Sequence, residues 1–283
     1  GEEVHFEDTW GCLLEQELGR HGVRAEVINL GVPAYGVDQA YLRWKAIGAS
    51  LKPGIVVLGL QMEDVHRTVN ILRPLYVPAG QLPFSKPRAR LRNGRLDWVN
   101  SPAMDPGRVL RTLQHLDSWN LSSLEHFMPS SPGLLPVWCH SRVLSLAHEV
   151  LFPIENNPFF YDPCREPARI ALAILQELDD DVTACGGRLL ITHIPISVDL
   201  FRMRSGRPLP YDDLWAVVQS RHRAAGSLNA LLQAAGSNGI RSLFMPRGHY
   251  SAAGNQAIAE VVAAESMAFQ QGSLFSGTNI MKR

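Results

Sequence analysis

Two short runs rich in aliphatic residues constrain the fold more than any other feature of the chain. They are IVVLGL at residues 55–60, which follows a Pro-Gly turn, and RLLITHI at residues 188–194, which follows Gly-Gly. Runs of this kind are typical of parallel strands that helices cover on both faces. Two further runs, at residues 25–30 and 239–245, predict two further strands. The sequence therefore predicts a mostly parallel sheet.

Segments with helical periodicity separate these runs. They lie at residues 8–21, 37–50, 166–184, 211–235 (with a break near 226–227) and 252–267. Strands that alternate with helices indicate an α/β fold whose crossover connections are right-handed.

Residues 70–165 have a different character, because proline is frequent there and the hydrophobic periodicity is poor. Asn93-Gly94 lies between two alternating stretches and predicts a β-hairpin. A structureless loop of this length would be unusual, so we expect short helices as well. We interpret this region as a lid-like insertion in a single domain of residues 1–268, with a flexible tail at residues 269–283.

The composition excludes some classes of partner. The formal net charge is +0, which offers no electrostatic reason to bind nucleic acid or an anionic membrane. One basic cluster is interpreted as a solvated hairpin: Lys86, Arg88, Arg90, Arg92 and Arg95. No apolar run approaches the roughly 20 residues of a membrane span. The four cysteines have no metal-ligand spacing, and they leave the redox compartment and the localisation open.

Ligands of open parallel sheets bind beyond the carboxyl ends of the strands, so the residues there are candidates for chemistry. The glycine-rich turn from Gly31 to Ala34 follows residues 25–30, and its backbone N–H groups could stabilise an oxyanion. An ordinary βα turn would look the same. Glu63 and Asp64 follow the run at residues 55–60, where carboxylates also suit the start of a solvated helix.

Two histidines lie at or after the ends of the later runs. His193 is near the end of the run at residues 188–194, and a lone histidine in that position is more often structural than functional. His249 lies in a loop before the last predicted helix. A general base would be well placed there, although the residue could equally cap the helix.

In order along the chain, these stretches resemble the SGNH (GDSL-type) hydrolases of bacteria. The resemblance rests on N-x-G-x-x-x-x-G at residues 29–36 with Asp-Gln at 38–39, on KPGIVVLG at 52–59 and on GHYSAAGN at 248–255. It covers residues 1–65 and 160–268. It implies a flavodoxin-like three-layer α/β/α sandwich with a mostly parallel sheet, and hydrolysis or transfer of an acyl ester without metal or cofactor.

The resemblance also assigns roles to individual residues. His249 takes the position of the catalytic base, and Gly31 and Ala34 fall in the oxyanion block. Glu63, followed by Asp64, falls where the family has its oxyanion asparagine, although an ionised carboxylate cannot donate a hydrogen bond. The family's aspartate falls on Pro246 or Arg247, and neither side chain can orient an imidazole as a carboxylate does, although a backbone carbonyl can take that role.

The family's nucleophilic serine has no counterpart here. We expect it, together with a G-D-S block and the first strand of the sheet, upstream of residue 1, and we expect residues 1–283 alone to be inactive. The complete protein would then hydrolyse an ester of a lipid, a glycan or a small molecule. Two alternatives remain: a catalytically inactive domain that binds a glycan or acyl group, and an O-acyltransferase of a cell-surface polysaccharide.

Overall fold

The computed structural model describes residues 3–77, 82–128 and 157–276, together with positions 141, 143, 144 and 147. Its main sheet has three parallel strands in the order β1-β4-β5, and a separate antiparallel hairpin joins β2 to β3. The strands are β1 (Ile55–Leu60), β2 (Arg88–Arg92), β3 (Arg95–Val99), β4 (Arg188–His193) and β5 (Ala224–Gly226). The predicted α/β class with a mostly parallel sheet is therefore confirmed.

Ten α-helices lie in the described part of the chain. They are α1 (Trp10–Arg20), α2 (Val37–Arg43), α3 (Asp64–Arg67), α4 (Arg73–Tyr76), α5 (Pro106–Gln114), α6 (Glu166–Ala184), α7 (Ser197–Arg204), α8 (Asp212–Arg221), α9 (Leu228–Ala235) and α10 (Ala252–Ser276). Helix α2 continues through a π-helical turn, Trp44–Gly48, into a 3-10 turn, Ala49–Leu51. The last helix extends past its predicted end to Ser276, and residues 277–283 of the predicted tail lie outside the described residues.

Helices cover both faces of the sheet. Leu189 and Ile191 of β4 point into a core shared with α2, α6 and α8. Leu190 points into a second core, shared with α1, α9 and α10. Successive side chains of a strand point to opposite faces, so an apolar run without alternation requires cover on both sides.

The long helix α6 shows why its pattern was predictive. Its residues Ile170, Ile174, Leu178 and Val182 recur every four positions, and each is at most 3% exposed. They form one stripe that faces the sheet. The turn after α6 requires Gly187, because a Cβ there would lie 2.7 Å from the carbonyl oxygen of Pro53. This close approach aligns the start of β4 with the start of β1.

The predicted strand at residues 25–30 is wrong. The segment belongs to no helix or strand and has no partner strand among the described residues, and Ile28 is 52% exposed. The N–H of Val27 donates to the carboxylate of Glu15 at 2.8 Å instead of to a strand. A strand forms only where a neighbouring strand pairs with its backbone groups, and no described strand lies beside this segment.

The predicted strand at residues 239–245 is also wrong. A 3-10 helix, Ile240–Leu243, takes its place, and the residues at its two ends are buried against α9 and α10. The sheet is extended instead by β5, which lies inside the predicted helix of residues 211–235. Three residues are too few to show alternation, so β5 left no pattern in the sequence.

The region predicted as an insertion contains the predicted hairpin and short helices. Asn93 and Gly94 both have positive φ, at 52° and 76°, as the favoured two-residue hairpin turn requires. A small separate core supports the region: Ile71, Leu72, Met104 and Val109. Except for the four isolated positions, residues 129–156 lie outside the described residues.

The basic cluster is only in part the solvated surface that we expected: Arg92 and Arg95 are exposed, but Lys86 and Arg88 are buried. Lys86 is buried and forms an ion pair with Asp38, which is fully buried. Arg88 is 1% exposed and donates to Glu166 at 2.9 Å. The hairpin packs against α2 and α6, so these cations need acidic partners under it. The cluster anchors the hairpin to the domain.

Candidate functional site

A cavity of about 220 Å³ opens beyond the carboxyl ends of β1 and β4. Met62 and Glu63 line it on the side of β1, and Ile194, Ile196 and Val198 line it on the side of β4. Tyr161, Asp199, Arg202, Pro210 and Tyr211 complete the wall. The cavity therefore lies where adjacent parallel strands end, with largely apolar walls and a few polar groups.

The predicted base, His249, lies in a tight turn that is bonded to the segment after β4. The N–H of Met245 donates to the carbonyl oxygen of His249 at 2.7 Å, and Gly248 adopts a left-handed φ of +91°. The hydroxyl of Tyr250 donates to the carbonyl oxygen of Pro195. That bond holds the turn against the residues after β4 that line the cavity.

A carboxylate that the sequence did not indicate accompanies His249. Oε2 of Glu3 lies 2.7 Å from Nδ1 of the imidazole, and Oε1 of Glu3 accepts a hydrogen bond from the N–H of Arg247 at 3.1 Å. Burial raises the pKa of Glu3, but the hydrogen bonds from His249 and Arg247 outweigh it and leave the pKa below its usual value. The partner of the imidazole is thus a carboxylate 246 positions away and not a backbone carbonyl, and no spacing in the sequence reveals that contact.

Glu63 has its own hydrogen-bond donors. Its Oε1 accepts from Nη2 of Arg67 at 2.9 Å and from the hydroxyl of Tyr76 at 3.1 Å. Arg67 also donates to the carbonyl oxygen of Tyr35 at 3.1 Å, which ties the glycine-rich turn to the segment after β1. Glu63 acts as an acceptor in an ion pair, so it does not supply the hydrogen bond that an oxyanion needs.

Asp64 is buried beside the same guanidinium, with its Oδ1 3.4 Å from Nη1 of Arg67. Burial raises the pKa of Asp64 to about 7, although the charge of Arg67 opposes the rise. No hydrogen bond or ion pair among the described residues joins Glu63 or Asp64 to His249. Arg67 instead joins these carboxylates to the glycine-rich turn.

Within that turn, the two predicted oxyanion donors differ. The N–H of Gly31 donates to Oδ1 of Asn29 at 2.8 Å and is already used. Ala34 is exposed, has a left-handed φ of 62°, and its N–H has no hydrogen-bond partner among the residues that the structure describes. Of the two positions, Ala34 is the one whose N–H is available to donate a hydrogen bond to a ligand.

His193 is structural. It is fully buried, with its ring 5.3 Å from that of Tyr211 and 5.2 Å from that of Trp215. Neither ring nitrogen has a hydrogen-bond partner within the described ranges. Burial lowers the pKa of His193 to about 4, so the ring is neutral at physiological pH. The structure resolves the two interpretations that the sequence left open.

In the described ranges, no cluster of three or more His, Cys, Asp or Glu side chains is arranged to bind a metal ion. None of the helices described there combines the length and the apolar character that crossing a bilayer requires.

Comparisons with family models, with curated proteins and with solved structures return no match to this chain.

Proposed function

We propose that this chain belongs to an SGNH-type serine esterase in which His249 is the general base and the nucleophilic serine lies a few residues upstream of residue 1. The contact between Glu3 and His249 carries the proposal. It brings the chain at Glu3 to the imidazole, and each further residue spans at most about 3.5 Å. A serine only a few positions earlier is therefore within reach of Nε2 of His249.

The open edge of the sheet supports the same arrangement. β1 pairs with β4 on one side, and no described strand pairs with its other side. Residues 25–30 also have no partner strand among the described residues. A strand from an upstream segment, inserted between them, would satisfy the backbone groups of both and would build the flavodoxin-like sheet.

In the proposed reaction, the serine oxygen attacks the carbonyl carbon of the ester while Nε2 of His249 takes its proton. The resulting oxyanion accepts a hydrogen bond from the N–H of Ala34. When the tetrahedral intermediate collapses, the bond to the leaving alcohol breaks and the imidazolium returns the proton to that oxygen. Water then repeats the sequence on the acyl-enzyme, which releases a carboxylic acid and the free serine.

The cavity indicates which part of the substrate it receives. Met62, Ile194, Ile196 and Val198 offer apolar contacts, and the volume of about 220 Å³ suits a compact group. We propose that the acyl group of a lipid, glycan or small-molecule ester occupies it.

One observation favours a second candidate, a non-catalytic domain that binds a glycan or acyl group in the same cleft. Glu63 forms an ion pair with Arg67 where an oxyanion donor is needed, which leaves the N–H of Ala34 to do that work with the backbone of the serine. An O-acyltransferase would use the same residues with a different acceptor, and only the products distinguish it from the esterase.

The test is active-site labelling of the protein with its natural upstream sequence. We expect a fluorophosphonate probe to label one serine just upstream of Gly1, and we expect His249→Ala to abolish labelling while the far-UV spectrum stays unchanged. His21→Ala, on the exposed end of α1, is the matched control and should label normally. Folded protein that is not labelled would overturn the esterase proposal in favour of the binding domain.

A further inference from the structure

The carboxylate of Glu3 is held by two bonds to the turn that carries His249. One oxygen faces Nδ1 of the imidazole at 2.7 Å, and the other accepts from the N–H of Arg247 at 3.1 Å. Two contacts to one rigid turn fix the carboxylate's orientation as well as its position. A single surface ion pair would not do so.

Exposure differs between the two partners. The side chain of Glu3 is 10% exposed, whereas that of His249 is 43% exposed. The carboxylate is therefore largely shielded from solvent, and the imidazole remains accessible to a reactant. The screening that weakens exposed ion pairs acts less on an acceptor that is shielded in this way.

The tautomer follows from the acceptor. An ionised carboxylate has no proton to donate, so Nδ1 must carry the hydrogen when the imidazole is neutral. Nε2 then has the free lone pair, as a general base requires. When Nε2 takes a proton, the adjacent negative charge stabilises the imidazolium that forms.

The residues near His249 in the chain cannot do this. Pro246 and Arg247 precede it, Gly248 has no side chain, and Tyr250 is directed to Pro195. Glu7 and Asp8 are the next acidic residues after Glu3, and they lie in a 3-10 turn that makes no hydrogen bond or ion pair to the imidazole within the described ranges.

We infer that Glu3 is the positioning residue for His249: its carboxylate holds the Nδ1–H tautomer and fixes the ring so that Nε2 faces the reacting serine. The tautomer and the ring orientation depend only on the geometry of residues 3 and 245–250. The catalytic consequence rests on the proposed function.

The first test observes the ring directly and needs no activity. In the protein with its natural upstream sequence and ¹⁵N-labelled histidine, the His249 resonances are assigned from their loss in His249→Ala. We expect Nδ1 to be protonated and Nε2 unprotonated in the neutral ring. Glu3→Leu should shift the ring to mixed or Nε2-protonated tautomers, whereas Glu7→Leu, an exposed acidic residue nearby, should leave it unchanged. Identical His249 signals in Glu3→Leu and the parent chain would overturn the inference.

The second test measures turnover in the protein with its natural upstream sequence. We expect Glu3→Gln to lower kcat by about 10²- to 10⁴-fold with little change in KM, because an amide that donates to Nδ1 selects the wrong tautomer. Glu3→Asp should recover part of the loss. If His249→Ala is inactive but Glu3→Gln retains full kcat, the role of Glu3 is refuted and the esterase stands. If both retain full kcat, the proposed base is wrong as well.

Discussion

Replacing His193 by leucine should remove a pH dependence of stability that the burial of this side chain creates. The imidazole is 0% exposed and its nitrogens have no hydrogen-bond partner within the described residues, so burial lowers its pKa from about 6.5 to about 4. Between these values the unfolded chain binds a proton and the folded chain does not. The contribution of the neutral His193 ring to the free energy of unfolding is therefore complete above pH 6.5 and is lost as the pH falls towards 4.

The magnitude follows from the two pKa values. The folded state loses about 2 kcal/mol relative to the unfolded state on going from pH 8 to pH 5, and about 3 kcal/mol once the pH is below 4. His193→Leu should lack this loss, so its free energy of unfolding should gain about 2 kcal/mol on that of the parent chain over the same interval.

The assay is urea unfolding followed by far-UV circular dichroism at pH 8 and pH 5. The other buried histidines of the described residues, His66 and His222, are present in both proteins, so their contributions cancel in the comparison. His21→Leu removes an exposed imidazole and serves as the control. An equal difference between His193→Leu and the parent chain at both pH values would refute the argument, since it would mean that the ring titrates alike in both states.

Two further predictions concern buried carboxylates. Burial raises the pKa of Asp64 to about 7, so its contribution has the opposite sign: it is complete below pH 3.8 and is lost as the pH rises through 7. Relative to Asp64→Asn, the parent chain should lose up to about 4 kcal/mol of unfolding free energy between pH 4 and pH 8. A difference that does not vary with pH in urea titrations would contradict this. Glu125 accepts from the N–H groups of Ile71 at 2.6 Å and Leu72 at 2.9 Å, and Glu125→Ala should cost about 3 kcal/mol because it leaves these buried donors unpaired. Glu125→Gln retains an acceptor and should cost less in thermal unfolding, and equal losses in the two variants would argue against the hydrogen bonds as the cause.

Elements with long or pure patterns were predictable from the sequence. The stripe of α6 repeats every four residues from Ile170 to Val182, and β1 and β4 carry aliphatic residues on both faces. In each case the pattern records a repeating environment, because α6 meets the sheet along one stripe and helices cover both faces of the strands. The hairpin around Asn93 was predictable for a similar reason, since its turn needs residues that tolerate positive φ.

Elements that depend on a partner were not predictable. The segment at residues 25–30 has the composition of a strand, but a strand also needs a neighbour. β5 is formed by three residues because β4 offers them an edge, and their own pattern does not indicate a strand. The basic cluster likewise resembled a solvated surface, and only the structure shows that Lys86 pairs with Asp38 and Arg88 with Glu166.

The candidate site divides along the same line. The sequence by itself determined that His249 lies in a turn before a helix, because a short loop with proline and glycine and a helical pattern are local properties. Only the tertiary structure could show that Glu3 holds its Nδ1 at 2.7 Å, that Glu63 is occupied by Arg67, and that the N–H of Gly31 is already used. Hydrogen bonds depend on distance and direction in space, and a contact between residues 246 positions apart leaves no periodicity in the chain that joins them.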